Sequence, residues 1–338
     1  QNQIQSRWSE IFQIPMKETI KYIYFYTYFV VIFPLIINSK ENFILFLKYF
    51  TFFYAIALII GFVALLDTYN NLGPVMLSRH WYYNDQMNIG FRFFGVFGEP
   101  RDASVALIFG IFILFIGSIY RNKPVSYILI GSSMVALSLT MSGSFLISLI
   151  ILPFLYLLLN PKIVFYLGPG FFISIFLIII SVTIVIYSSE RTQVYFEALL
   201  NVFNDIPSGR LGGILHKQAV NVYPIIEVFK NLFSIDIFFA LFGHGTGASN
   251  MLKIPEETFS LYGPHSLLSR LIYDFGFVGT LFWIFIVISG MYQLRKFNSE
   301  KNYNILLFVY IMLISISIAH KSHLIMIALG VTMIVSNL

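Results

Sequence analysis

His265 stands immediately before a long apolar run, with Ser266 placed as the N-cap of the helix that the run predicts. The electropositive start of a helix disfavours an imidazolium. A neutral imidazole there can take a proton at physiological pH, which makes His265 a candidate general base. The plainer alternative is an interfacial histidine bonded to a loop carbonyl. Four guanidiniums supply complementary chemistry: Arg92, Arg101, Arg191 and Arg210, all in the two long segments between apolar runs. Arginine grips phosphate oxygens through a bidentate fork, so the set suits a lipid diphosphate. The alternative is a basic surface meeting lipid headgroups, a role that fits Arg79 and Lys321 better. Glu99 can orient one of the arginines or meet an acceptor.

Arg270 and Asp274 sit at i and i+4 inside the run that follows His265. Ionisable side chains within a membrane are costly and face a partner or a wet cavity. The two can neutralise each other. Alternatively, Arg270 faces a cavity and meets an anionic substrate, with Asp274 as an orienting or acceptor-contacting group. Gly276 and Gly279 lie one turn apart and allow another helix to approach closely. Gly243, Gly245 and Gly247 have the look of a phosphate cradle, but the strand before and helix after that a dinucleotide site needs are missing. A tight turn packed against the membrane surface is the plainer reading. His320 and His323 lack a nearby carboxylate and make a weak metal pair. The chain has no cysteine, hence no disulfide framework, thiolate metal site or cysteine nucleophile. Trp81, Tyr82, Tyr83, Tyr223 and Tyr262 can stack on sugars, although aromatic rings also gather at membrane interfaces.

A membrane must hold these residues. Of 338 residues, 58% are hydrophobic and only 11% are charged, and the mean hydropathy is +0.80. A soluble domain carries about 25% charged residues. The composition excludes a cytosolic enzyme, a nucleic-acid-binding domain and a disordered chain, and predicts an all-α polytopic membrane protein. A barrel would alternate polar and apolar residues, whereas the apolar runs here are unbroken. Nine spans are predicted, at about 20–37, 43–66, 104–120, 125–142, 144–160, 163–187, 267–291, 305–319 and 323–337. The last two form either a hairpin or one broken element. Residues 1–338 read as a single integral membrane domain without internal repeats.

The short connections bearing Lys40, Arg121, Lys123, Lys162, Arg295, Lys296 and Lys301 fall on one side, the cytoplasmic one by the positive-inside rule. The long segments 67–103 and 188–266 are then external, periplasmic in a Gram-negative cell. Leu338 falls inside and Gln1 outside, which implies an additional N-terminal span or an amphipathic surface segment over 1–19. The second option draws on Trp8, Ile11, Phe12 and Ile14 set among Arg7, Glu10 and Lys17.

Taken in order from about Arg92 to the end, these segments resemble the bacterial O-antigen polymerase and O-antigen ligase superfamily, of the Wzy and WaaL types. Arg92-Phe93-Phe94-Gly95-Val96-Phe97-Gly98-Glu99-Pro100 is similar to the family's R-x-x-G-x-F-x-x-P segment. Leu139-Thr140-Met141-Ser142-Gly143-Ser144 is similar to its T-x-S-R-G turn, with Gly143 in place of the arginine. Ser208-Gly209-Arg210 and Leu241-Phe242-Gly243-His244-Gly245-Thr246-Gly247 follow the S-G-R and L-F-G-x-G-x-G elements of the large loop. His265-Ser266, nine residues and Gly276-Phe277-Val278-Gly279 follow the H-[NSQ]-x9-G-x-x-G pattern over 265–279.

The resemblance implies a GT-C-like membrane glycosyltransferase with a large external loop carrying helices. Its donor and acceptor are oligosaccharides on undecaprenyl diphosphate, its setting is the inner-membrane bilayer, and a chain-length regulator protein is a further partner. It implies no metal. Lipid diphosphate is already activated, so no nucleotide cofactor is needed, and no nucleic acid is expected. His265 is then the base and Arg210 the first diphosphate ligand, followed by Arg92 and Arg101, then Arg191, with Arg270 as a further contact. Two alternatives stand beside polymerase. One is a ligase transferring glycan to lipid A-core. The other is a non-enzymatic flippase for lipid-linked oligosaccharide, disfavoured because charge concentrates in the loops and the halves are unrelated.

Overall fold

The computed structural model describes residues 16–70, 93–97, 100–121, 123–140, 142, 224–225, 228–229, 231–233, 236–251, 266–295, 300–319 and 323–338. Every regular element among the described residues is helical. Helix α1 covers Met16–Ile36. It is followed by α2 (Lys40–Asn70), α3 (Pro100–Tyr120), α4 (Lys123–Thr140), α5 (Ile237–Phe242), α6 (Leu267–Leu294), α7 (Glu300–Ala319) and α8 (Leu324–Asn337). Among the described residues, four helices are long and apolar enough to cross a membrane: α1, α2 over Lys40–Leu66, α3 and α6. Helices α4, α7 and α8 contain shorter apolar stretches. The run 305–337 is two helices rather than one. The expected spans 144–160 and 163–187 lie outside the described residues.

Two boundaries differ from the expectation. Helix α2 continues to Asn70 and α3 begins at Pro100, so the segment 67–103 is helical at both ends. Proline at a helix start loses no hydrogen bond and arrives with a helical φ, and Asp102 in the first turn complements the helix dipole. Arg101 therefore sits half-buried in the first turn of α3, not in a loop. Residues 16–19, read as part of a surface segment, are the start of α1, and 1–15 lie outside the described residues. Within α1, Tyr26–Ile32 winds as a π-helix. Pro34 follows; it has no N–H to return to Val30, and the wider winding accommodates its ring.

Read as one domain, the chain divides by its packing into two compact units. One holds Gln1–Phe25 and Phe165–Ile286; the other holds Tyr26–Val164 and Val287–Leu338. In the second unit α3 is central. It is buried along nearly all its length and packs against α2, α4, α7 and α8. A helix that is apolar all round must be surrounded on all sides. Most of the buried hydroxyls there are bonded to their own helix or to a neighbour, Ser142 and Ser317 being exceptions. The Tyr54 hydroxyl of α2 bonds Ser133 Oγ of α4 at 2.9 Å, and its ring lies where Gly110 of α3 leaves room. The Tyr310 hydroxyl donates to the Val287 carbonyl at 3.1 Å. In the first unit the core is Val228, Ala240, Ile272 and Tyr273, with Ile225, Leu232, Ala248 and Phe277 packed against it.

Candidate functional site

The site is built on the first turns of α6. Ser266 precedes the helix, and its Oγ accepts the Ser269 N–H at 3.4 Å, the N-cap role expected for it. The backbone of α6 then breaks. Gly276 has φ 65° and ψ −167°, a conformation that L side chains rarely adopt. A break frees helix carbonyls from their usual i+4 partners. Here Tyr273 O accepts the His244 N–H at 2.9 Å and Asp274 O accepts the Gly245 N–H at 3.0 Å.

The glycine loop is shaped to reach this break. Gly243, Gly245 and Gly247 all have positive φ, at 78°, 97° and 79°. The fit at the break is backbone against backbone. A Cβ on Gly276 would fall on Leu241 O and Gly243 N, and a Cβ on Gly243 would fall on the Asp274 carbonyl. Asp274, 3% exposed, closes the joint with its side chain. Its Oδ2 accepts the Gly247 N–H at 3.0 Å and its Oδ1 accepts the Ser249 N–H at 2.8 Å. The His244 ring stacks between Phe239 and Tyr273, with centroids at 5.0 and 4.3 Å. Thr246 and Thr19 of α1 share a hydroxyl hydrogen bond of 2.5 Å. Tyr22 of α1 meets Phe275 edge-on at 5.5 Å.

This geometry decides between the two readings of the glycine loop and corrects the reading of Gly279. The loop is not a phosphate cradle. The N–H groups of residues 243, 244, 245, 247, 248 and 249 all donate within the protein, and the anion held by the loop is the carboxylate of Asp274. The loop is the tight turn of the plainer reading, but it packs on α6 rather than on the membrane surface. Gly276 does receive a neighbouring helix, the last turn of α5 at Leu241, whereas among the described residues none reaches Gly279. The start of the glycine loop, Gly243, shares the space at Gly276 with α5, and Gly279 makes room for Phe275 one turn earlier on α6. The helix-packing inference assumed continuous helical backbone through residue 276, which its φ rules out.

Arg270 and Asp274 are both buried, at 5% and 3% exposure. Arg270 acts electrostatically on the Asp274 carboxylate, whose oxygens are also bonded to the loop. His265, Arg210, Arg191, Arg92 and Glu99 lie outside the described residues, as do Trp81, Tyr82, Tyr83, Tyr223, Tyr262 and His320. Ser266 nevertheless makes His265 the residue directly before the α6 cap. Arg101 belongs to the other unit. In that unit the first two motif segments meet: the Phe93 N–H donates to Leu139 O at 2.9 Å. The buried Phe93 ring sits against Gly61 of α2. A cavity of about 540 Å³, also in that unit, is lined by Lys48, Phe52, Arg121, Val125 and Ile128 among others, and by none of the expected site residues. Sequence reasoning missed the joint itself. Its signal was a lone aspartate two residues before a glycine, downstream of three alternating glycines. No family model, curated protein or solved structure matches the chain.

Proposed function

We propose that this chain is a GT-C-like membrane glycosyltransferase that polymerises a surface polysaccharide of the O-antigen type. It works at the outer face of the inner membrane and moves a growing glycan from undecaprenyl diphosphate onto a lipid-linked repeat unit. The supporting observation is that segments carrying the resemblance join in pairs across long stretches of sequence. The glycine loop is docked and bonded onto the broken helix that follows His265, and the segment after Arg92 is bonded to Leu139. Such joints tie together segments that the resemblance links, and catalytic geometry requires a rigid support.

In the proposed reaction the acceptor sugar hydroxyl gives its proton to the His265 imidazole, and its oxygen bonds to the anomeric carbon of the donor. The bond from that carbon to the diphosphate breaks, and undecaprenyl diphosphate leaves with the bonding pair. Arg210, assisted by Arg191, stabilises the charge that develops on the leaving group. Gly143 stands where the family has an arginine, so any phosphate contact made there elsewhere falls here to another residue. Asp274 acts by fixing the glycine loop, not on the sugar. The reaction needs no metal or nucleotide.

Purified protein in a bilayer, given one defined lipid-linked repeat unit, should produce a ladder of longer lipid-linked glycans, with chelator present. Transfer only to lipid A-core would make the protein a ligase. Transbilayer movement without new glycosidic bonds would make it a flippase. A deletion strain separates the first two: loss of a polymerase leaves core capped with one repeat, and loss of a ligase leaves bare core.

A further inference from the structure

The segment that presents the glycine loop is apolar on both faces. Its inner face supplies Val228 and Ala240 to the core against Ile272 and Tyr273. Its outer face leaves Phe229, Phe233, Ile237, Phe238 and Phe242 exposed, Phe233 at 88% and Phe238 at 63%. Phe238 and Phe242 lie side by side at 5.0 Å. A helix or turn that is apolar all round cannot rest against water.

The same surface continues onto α6. Phe229 meets Phe277 edge-on at 5.2 Å, and α6 beyond it exposes Val278, Leu281, Phe282 and Phe285. The level of the segment follows from α6. Residues 275–294 carry no charge, and Arg295 follows them. Twenty residues at 1.5 Å each span about 30 Å, the thickness of a bilayer's hydrocarbon. The break at Gly276 therefore lies at one hydrocarbon boundary, with Arg270 and Asp274 on its outer side. Helix α1 agrees. Glu18 and Lys21, an ion pair at 3.8 Å, lie beside Thr19, which bonds the loop, and Tyr22, which meets Phe275.

We infer that the exposed apolar residues of 229–242 form a membrane anchor seated in the bilayer at this boundary, and that the occupant of the surface is lipid. Segment 188–266 is then not an aqueous loop throughout; its closing part lies in the interface. Asp236, exposed just before α5, keeps the anchor shallow, since an interfacial element buries one face and keeps its charges at headgroup level. The satisfied N–H groups of the loop serve the same end, because unpaired backbone polar groups are excluded from hydrocarbon. The inference stands on the membrane reading alone and holds whatever reaction the protein performs.

The absence of native cysteine allows a direct test. Spin labels at Phe233→Cys, Phe238→Cys and Phe242→Cys, singly and in nanodiscs of phosphatidylethanolamine and phosphatidylglycerol, report collisions with dissolved oxygen and with a water-soluble nickel chelate. Phe285→Cys on α6 is the lipid reference, and Arg121→Cys in the turn after α3 is the aqueous one. Oxygen collisions should dominate at 238 and 242, as at 285, and the nickel chelate at 121. Nickel collisions dominating at the anchor positions would overturn the inference. Exclusion of both reagents would overturn it too, because protein would then cover the surface. Position 233 has the least to lose on substitution and guards against a misfolded variant at the other two.

Discussion

Asp274 is a buried carboxylate whose two oxygens serve two backbone N–H groups of another segment. Removing an acceptor leaves buried donors orphaned, at about 1–3 kcal/mol each. Asp274→Ala should therefore cost about 2–6 kcal/mol, and Asp274→Asn, which keeps one acceptor oxygen, clearly less. Thermal unfolding in detergent should rank the proteins wild type, Asn, Ala; equal stability of Asn and wild type would mean that a single acceptor suffices. The proposed base is tested separately. His265→Ala should slow glycan extension by about 10²–10⁴-fold and leave membrane insertion unchanged, and near-normal polymer ladders would reject the assignment. Arg210→Lys should be nearly as damaging as Arg210→Ala, since an ammonium cannot form the two-pronged contact with phosphate. Full activity of the Lys variant would exclude that contact.

Two elements, the glycine loop and α6, meet through glycines that differ in what surrounds them. Gly243 and Gly276 combine positive φ with opposing backbone where a Cβ would sit, whereas Gly245 has positive φ and open space. Left-handed backbone costs a residue with a Cβ about 1–2 kcal/mol, and forcing atoms into a packed joint adds about 1–3 kcal/mol. Gly243→Ala and Gly276→Ala should thus destabilise more than Gly245→Ala, a ranking that melting temperatures can check. In the other unit the contact of α2 with α3 and α4 offers a similar comparison. Tyr54→Phe removes the hydroxyl that bonds Ser133 Oγ and donates to Leu107 O, a loss of about 0.6 kcal/mol per bond by the average for membrane helices. Gly110→Ala intrudes on the Tyr54 ring and should cost more.

For the molecule as a whole, orientation is the property that decides where chemistry can occur. Lysine and arginine crowd the connections near 40, 121, 162 and 295–301, and cytoplasmic loops hold such residues. A periplasmic reporter fused after Leu338 should therefore be inactive, and one inserted in segment 188–223 should be active. The reverse result would place the glycine loop and the cap of α6 on the cytoplasmic side and remove the proposed donor from reach. The division into two packed units has no consequence for this test, because each unit contains at least part of a membrane-crossing helix.

Hydropathy alone determined that the protein is helical, with helices long and apolar enough to cross a membrane. Long uncharged runs have one low-energy solution in lipid, with every backbone group bonded within its own helix. The Ser266 cap was legible for a related reason, since a cap is a contact between residues three apart. The joint at Gly276 was not. Spacing put two glycines on one helical face, but the backbone is not helical at the first of them, and its partner lies more than thirty residues earlier in the chain. Nor did the sequence show that Asp274 would bind loop N–H groups as well as feel Arg270, or that phenylalanines near residue 238 would face outward. Such choices depend on which distant segments come together to satisfy buried polar groups, and only the tertiary structure decides that.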